Sequence, residues 1–430
     1  INLVEAFRSQ VPIAVVVGAK GSGKTFLFKQ ICYSCNWAEF SRMTLPQSNN
    51  NNEAFVLPVI LPQNLSDNRT FITVPKEIQK ITNAKIHHNI WSEYIQGDIE
   101  LSLKNDLTNT QWRDKWLDYI AWAAGYEVNI EHAGANFLQL LKTTKTKIVS
   151  VFDGLEELFQ HFDNSPQEQK AFWALLVNVP NWLDSQPEKS LGIIAFVRKD
   201  FVTYAITQNS GQFLSKHENY ELKWNSDEAL RLVHWILCKY NILPTFQDWN
   251  NSLRKKDREE LTTNLYKLWG MKMAKDTSKE AYTHRWVLGS LANLKKEVQS
   301  RDIVRFLEFA AKNSLNSDSK ITDLYKDRIL LPSAIRESIN EVGRDKIEEV
   351  KKENQPLKKV LEILESHKDV IKFPCEPKHI EEILEKNQIK ILEDNGVALL
   401  YEGKFYLAEI YRQGMGFSYS QTGRPKVLYF

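Results

Sequence analysis

Gly18-Ala19-Lys20-Gly21-Ser22-Gly23-Lys24-Thr25 decides how this 430-residue chain is read. The five residues before it, Ile13-Ala14-Val15-Val16-Val17, are apolar and mostly β-branched, the signature of a short buried strand. Residues 26–35 after it read as a helix. A G-x-x-x-x-G-K-[ST] pattern carries weight in that setting, at a turn between strand and helix. Gly18, Gly21 and Gly23 allow left-handed backbone angles and close approach of a ligand with no Cβ in the way. The backbone N–H groups of such a loop converge at the positive end of the next helix, which suits a phosphate. Lys24 is placed to reach the β- and γ-phosphates, and the Thr25 hydroxyl to coordinate Mg²⁺. The candidate nucleotide-binding stretch is therefore Gly18, Ala19, Lys20, Gly21, Ser22, Gly23, Lys24, Thr25 and Phe26.

A second stretch supplies what such a loop lacks. Lys147-Ile148-Val149-Ser150-Val151-Phe152-Asp153-Gly154-Leu155-Glu156-Glu157-Leu158 is an apolar run ending in acids. That is how a buried parallel strand delivers carboxylates to its C-terminal end, the edge where open α/β sheets bind ligands. Asp153 is the candidate partner for a Mg²⁺ held by Thr25, and Glu156 or Glu157 the candidate to orient an attacking water. A third apolar run, 191–197, ends at Arg198-Lys199-Asp200. If its strand lies between the other two, Arg198 stands beside the phosphate loop and is placed to sense a γ-phosphate.

Length and composition bound the rest. A chain of 430 residues exceeds one ordinary core, so two or three domains are expected. With 43% hydrophobic and 26% charged residues the chain reads as soluble and globular, and a net charge of +2 does not by itself argue for nucleic acid or a membrane. No apolar run approaches a membrane span and none reads as a signal peptide. The four cysteines, Cys32, Cys35, Cys238 and Cys375, form no disulfide framework, which points to a reducing, cytoplasmic setting. The chain opens on Ile rather than Met, which leaves room for an upstream segment.

Along the chain, Leu3, Val4 and Phe7 have helical spacing, and either pack or cover a base. Residues 54–61 form a second strand, with Pro58 placing it at an edge or a bend. Residues 65–145 read as a largely helical insertion in which Trp112, Trp116, Ile120 and Ala123 share one face. Core packing, rather than base stacking, is the reading for these tryptophans. Residues 166–184 form an amphipathic helix. From 226 to about 340 the pattern is helical, starting at Ser226 as N-cap, and Arg285 is a candidate to reach a nucleotide. Residues 341–353 read as a charged, solvated helix. Helices at 357–367 and 379–386 precede a hairpin at 397–407 with its turn at Glu402-Gly403. Helices followed by a hairpin suggest a winged helix. Arg412, Arg424 and Lys426 are three cations of a tail placed to meet phosphates.

The phosphate loop followed by Asp153-Gly154-Leu155-Glu156-Glu157 resembles the STAND class of P-loop ATPases, NACHT type. In that resemblance Asp153 corresponds to the Mg²⁺-directed Asp, Glu156 and Glu157 to the second acid and final Glu, and Arg198 to the arginine ending the next strand. It implies an α/β parallel-sheet P-loop NTPase core of ASCE type over 1–225, a helical lid over 226–340 and a winged-helix domain over 341–430. It also implies an ATP- and Mg²⁺-dependent switch of slow turnover that controls conformation and self-assembly, or a protein partner or upstream effector, in prokaryotic signalling or defence. Two alternatives stand beside it: a DNA-handling AAA+-like ATPase of initiator or loader type, and a nucleotide-binding scaffold that does not hydrolyse.

Overall fold

The computed structural model describes residues 2–46, 52–62, 65, 76–82, 88–126, 130–159, 161–162, 164–206, 210–242 and 257–420. Residues 48–51 of the polar stretch 48–52, residues 254–256 of the mixed-charge stretch 254–260, Arg424 and Lys426 lie outside the described residues. The chain divides into two compact units, Ile1–Leu222 and Lys223–Phe430.

The first unit is built on a parallel sheet of β1 (Ile13–Gly18), β2 (Phe55–Ile60), β3 (Ile148–Phe152) and β4 (Leu191–Arg198), in the order β1-β4-β3-β2. The strand ending in Arg198 thus lies between the loop strand and the acidic strand, and Gly18 pairs with Arg198 in register. This is the α/β sheet of a P-loop nucleoside-triphosphatase fold with one strand inserted beside the loop strand. Pro58 sits on the edge strand, where the pairing slips between Pro58 and Ile60, because proline cannot donate to a ladder. Leu222 extends the other edge by a single parallel bridge to Gly18, its N–H donating to Val17 O at 2.8 Å.

Alternation along the strands sends side chains to two apolar layers. Ala14, Val16, Val149, Val151, Ile194 and Phe196 meet the helices Asn2–Ala6, Lys24–Tyr33 and Trp37–Thr44. Leu3, Val4 and Phe7 are packing residues of this layer, with the Phe7 ring 5.9 Å from Tyr220. Val15, Val17, Ile148, Phe152, Ile193 and Ala195 face the helices Asn109–Ala123, Ala133–Thr143, Pro166–Trp173 and Val179–Asp184. The segment read as an insertion therefore supplies much of one of the sheet's two covers. Trp112, Trp116, Ile120 and Ala123 are all fully buried there. The helix over 166–184 is interrupted by a π-helical stretch, Ala174–Asn178, just before Pro180, which has no N–H to continue the ladder.

The second unit packs around one hydrophobic core running from Ala229 to Phe417, shared by the segments 226–340 and 341–430. Its first helix, Ser226–Lys239, is capped by Asn225 rather than Ser226; the Asn225 side chain accepts from the N–H groups of Asp227 and Glu228. The stretch 341–353 is not a solvated helix. It belongs to the 22-residue helix Pro332–Glu353, which buries Ile335, Ile339, Val342 and Ile347. Lys346 and Glu349 are neutralised across the helix Ser300–Leu315: Lys346 Nζ lies 2.7 Å from Asp302, and Glu349 takes Arg301 and Arg305 at 2.9 and 2.5 Å. The segment 379–386 is also not one helix; Pro377–Glu381 and Lys386–Asp394 flank a break. The hairpin forms as expected, β5 (Ala398–Tyr401) and β6 (Lys404–Leu407), with Glu402 and Gly403 both at positive φ (49° and 74°), as a tight two-residue turn needs.

Gly343 sits where Pro332–Glu353 meets the helix Glu409–Gly414. A Cβ there would lie 2.4 Å from Ile410 O and 2.8 Å from the Gly414 Cα. Helix propensity favours Gly343→Ala by about 1 kcal/mol. The obstacle is backbone, which cannot swing aside, and overpacking costs about 1–3 kcal/mol or more. The clash wins, so we expect Gly343→Ala to lower stability by about 2 kcal/mol net, read as an earlier urea transition of the second unit. A midpoint that holds or rises would show that these helices are free to separate.

Candidate functional site

The loop closes as its glycines dictate. Gly21 and Gly23 take positive φ, 76° and 96°, which a side chain would resist. Gly18 does not; its requirement is space, since a Cβ would stand 2.4 Å from Ser22 Oγ. Ser22 N–H turns back to Ala19 O, and Gly23 opens the helix Lys24–Tyr33 with no side chain capping its first N–H groups. Lys24 is 6% exposed, and its ammonium donates to Gly18 O at 3.2 Å and Ala19 O at 3.0 Å. Burial pulls the Lys24 amine below its usual range, while Glu156 and Asp153 oppose that shift. Within the candidate stretch the Phe26 side chain is open, 54% exposed.

Asp153 follows β3 directly and is 1% exposed. Its N–H donates to Ile60 O at 3.1 Å, the Thr25 hydroxyl lies near enough to favour its ionised form, and Oδ2 has no hydrogen-bond partner. Burial pushes the acid up to about 7, with the Glu156 charge adding to the rise and Thr25 and Lys24 holding it down. A buried carboxylate oxygen with no donor, beside a threonine hydroxyl and a lysine, is the donor set a hard divalent cation takes up together with phosphate oxygens. The residues present therefore fit Mg²⁺ and a nucleotide. Gly154 is fixed by geometry: φ is +79° and a Cβ would sit 2.7 Å from the Pro62 Cα.

Glu156 and Glu157 occupy the first turn of the short helix Leu155–Leu158, both half-buried. Glu156 is the acid whose charge acts on Lys24, Asp153 and Arg198. Glu157 N–H closes the turn onto Gly154 O. Arg198 arrives beside Gly18, with its guanidinium held by Asp200 (Nε–Oδ1 3.1 Å, Nη2–Oδ2 2.6 Å) and lying 5.3 Å from the Phe201 ring centre. The sheet thus brings Lys24, Thr25, Asp153, Glu156 and Arg198 to one edge of the first unit.

Asp200 belongs to this constellation and was not singled out from sequence, although its place two residues after a strand-ending arginine was the available signal. The Cys32 thiol is buried on the inner face of the loop helix, and Cys35 lies just past the helix end at φ 56°. Arg285 and Arg412 are engaged within the second unit. Arg285 lies over the Tyr282 ring at 5.4 Å, and Arg412, 9% exposed, grips Glu409 through Nε (2.8 Å) and Nη2 (2.6 Å). Arg412 is therefore not the open, phosphate-facing cation expected of a tail.

No family model matches the chain, and no curated protein matches it in sequence. Among solved structures, the ORC2 protein of Aeropyrum pernix, described in ADPNP–ADP complexes, aligns at 10% identity over 96% of this chain and 92% of its own, with a TM-score of 0.32. The Walker-type ATPase of Pyrococcus abyssi aligns at 11% identity over 96% and 93%, with a TM-score of 0.40. Likeness at this level transfers no activity; the fold assignment rests on this chain's own sheet order and loop. Among the described residues, no helix is long and apolar enough to cross a membrane.

Proposed function

We propose that this chain is a cytoplasmic, Mg²⁺-dependent ATP-binding switch of the STAND kind that hydrolyses slowly and whose nucleotide state governs assembly with itself or a protein partner in prokaryotic signalling or defence. The observation that carries the reading is Asp153: a fully buried acid with an unpartnered oxygen, next to Thr25 and within electrostatic reach of Lys24. Outside a metal-phosphate site such a carboxylate is a cost with no return.

The roles follow from position. The loop N–H groups from Gly18 to Thr25 cradle phosphates, Lys24 neutralises them, and Thr25 and Asp153 hold the metal. Bound Mg²⁺ supplies charge neutralisation at the phosphate oxygens. Glu156, the acid coupled electrostatically to the other site residues, orients the water, with Glu157 next in the same turn. Arg198 reads the terminal phosphate. Rate acceleration in such a site is positioning plus electrostatics. In the second unit, the helices Pro377–Glu381 and Lys386–Asp394 followed by the β5–β6 hairpin are assigned as a winged helix.

The test is mass by light scattering in Mg²⁺ with ADP and with a non-hydrolysable ATP analogue, alongside phosphate release from ATP. A larger assembly with the analogue alone, and turnover far below the ~10 s⁻¹ of a typical enzyme, is expected. Unchanged mass in both nucleotides would overturn the switch, and ATP recovered intact would leave a scaffold.

A further inference from the structure

Asp200 is an acid inside a site meant for anions. Its two oxygens take Nε and Nη2 of Arg198, and its charge also acts on Lys24. The two members of the pair differ in freedom. The Arg198 side chain is 17% exposed and lies against Phe201, whereas the Asp200 side chain is 49% exposed at the start of the helix Lys199–Ala205. The carboxylate is the wetter, more readily exchanged partner.

We propose that Asp200 is a specificity-determining residue that holds Arg198 against capture by a terminal phosphate, and so sets how strongly this site prefers a nucleoside triphosphate over a diphosphate. The proposal rests on the reading of 18–25 as a nucleotide site and deepens it. A γ-phosphate that takes the Nε/Nη2 edge of Arg198 must displace Asp200 from it, because one forked edge of a guanidinium suits one oxyanion at a time. A diphosphate has no group that makes this demand. Asp200 therefore weakens triphosphate binding selectively, whereas its longer-range repulsion of phosphates falls on both nucleotides. Asp200 makes the Arg198 contact costly in the resting protein and keeps the site from filling as a triphosphate complex at low nucleotide levels.

The experiment titrates Mg²⁺ with either ADP or a non-hydrolysable ATP analogue into wild type, Asp200→Asn, Arg198→Gln and the Arg198→Gln/Asp200→Asn double variant. Lys24→Ala serves as the reference for the site itself. A pair with one half-exposed partner is worth about a fivefold factor. Asp200→Asn is therefore expected to raise the analogue-to-ADP affinity ratio about fivefold, and the double variant to show no such rise over Arg198→Gln. An unchanged ratio in Asp200→Asn overturns the proposal. So does a rise of the same size in the double variant, because Asp200 would then act without Arg198. These results leave the nucleotide site standing, provided that binding in wild type is lost in Lys24→Ala. Wild-type binding that does not depend on Lys24 would overturn the site reading and this proposal together. Asp200→Ser, which also removes the charge, is expected to reproduce the Asp200→Asn ratio if the asparagine variant folds poorly.

Discussion

Lys24→Ala will lose affinity for Mg²⁺-nucleotide by on the order of 100-fold or more, with little change in folding stability. A charged hydrogen bond contributes about 1.5–3 kcal/mol, which alone gives roughly tenfold to more than a hundredfold. The site adds to that figure. Asp153 and Glu156 both act on Lys24, so removing the ammonium leaves two acids facing an incoming polyphosphate. Folding is less affected because what Lys24 donates to, Gly18 O and Ala19 O, lies at the rim of the loop rather than in an apolar layer. Calorimetric titration with the ATP analogue decides it. Affinity within twofold of wild type would remove the loop from the binding site, and with it the roles given to Thr25 and Asp153.

That the loop, the acidic strand and the arginine strand were legible in sequence has a physical cause. Each follows a buried parallel strand, largely apolar on both faces, whose first charged residues mark the ligand edge. Val151-Phe152-Asp153 and Phe196-Val197-Arg198 display that transition directly. The strand order was legible only as a condition, because pairing is a long-range choice that no local pattern encodes. What stayed hidden was also long-range. Periodicity shows that Trp116 is apolar-facing but not that the layer it builds covers β3. Residues 341–353 look solvated because Lys346, Glu349 and Lys351 are charged, yet each meets an opposite charge on another helix, and long stems lie along apolar surface while doing so. Arg412 reads as a tail cation and is instead locked to Glu409 three residues earlier, a spacing visible in sequence but meaningful only once the helix Glu409–Gly414 is known. Gly18 and Gly154 carry different constraints under one residue type: crowding at Gly18, and both crowding and a left-handed angle at Gly154.

Trp116→Ala will be among the most damaging single truncations in the first unit, costing about 4 kcal/mol. Trp116 is fully buried between the sheet and its helical cover, edge-on to Phe152 at 5.9 Å and to Tyr119 at 5.5 Å. Its indole N–H donates to Ala171 O at 2.8 Å, but that carbonyl also accepts from the N–H of Ala174, so losing the indole orphans nothing. The cost is therefore mostly cavity and lost contact, for which truncation of a buried aromatic runs about 3–5 kcal/mol. Against a typical total of about 5–15 kcal/mol, that brings the unit close to unfolding. Phe152 immediately precedes Asp153, so the same cavity loosens the seat of the metal-directed acid. Bound Mg²⁺-nucleotide should then restore part of the lost stability by mass action, whereas Trp116→Phe, which keeps a ring in the layer, should lose far less. Circular dichroism during urea titration reads the effect without relying on the deleted fluorophore. Were Trp116 a surface for stacking bases, Trp116→Ala would weaken ligand binding and leave the unfolding midpoint in place. A midpoint unmoved by the truncation would refute the packing role and the assignment of the helices Asn109–Ala123 and Ala133–Thr143 as a cover of the sheet.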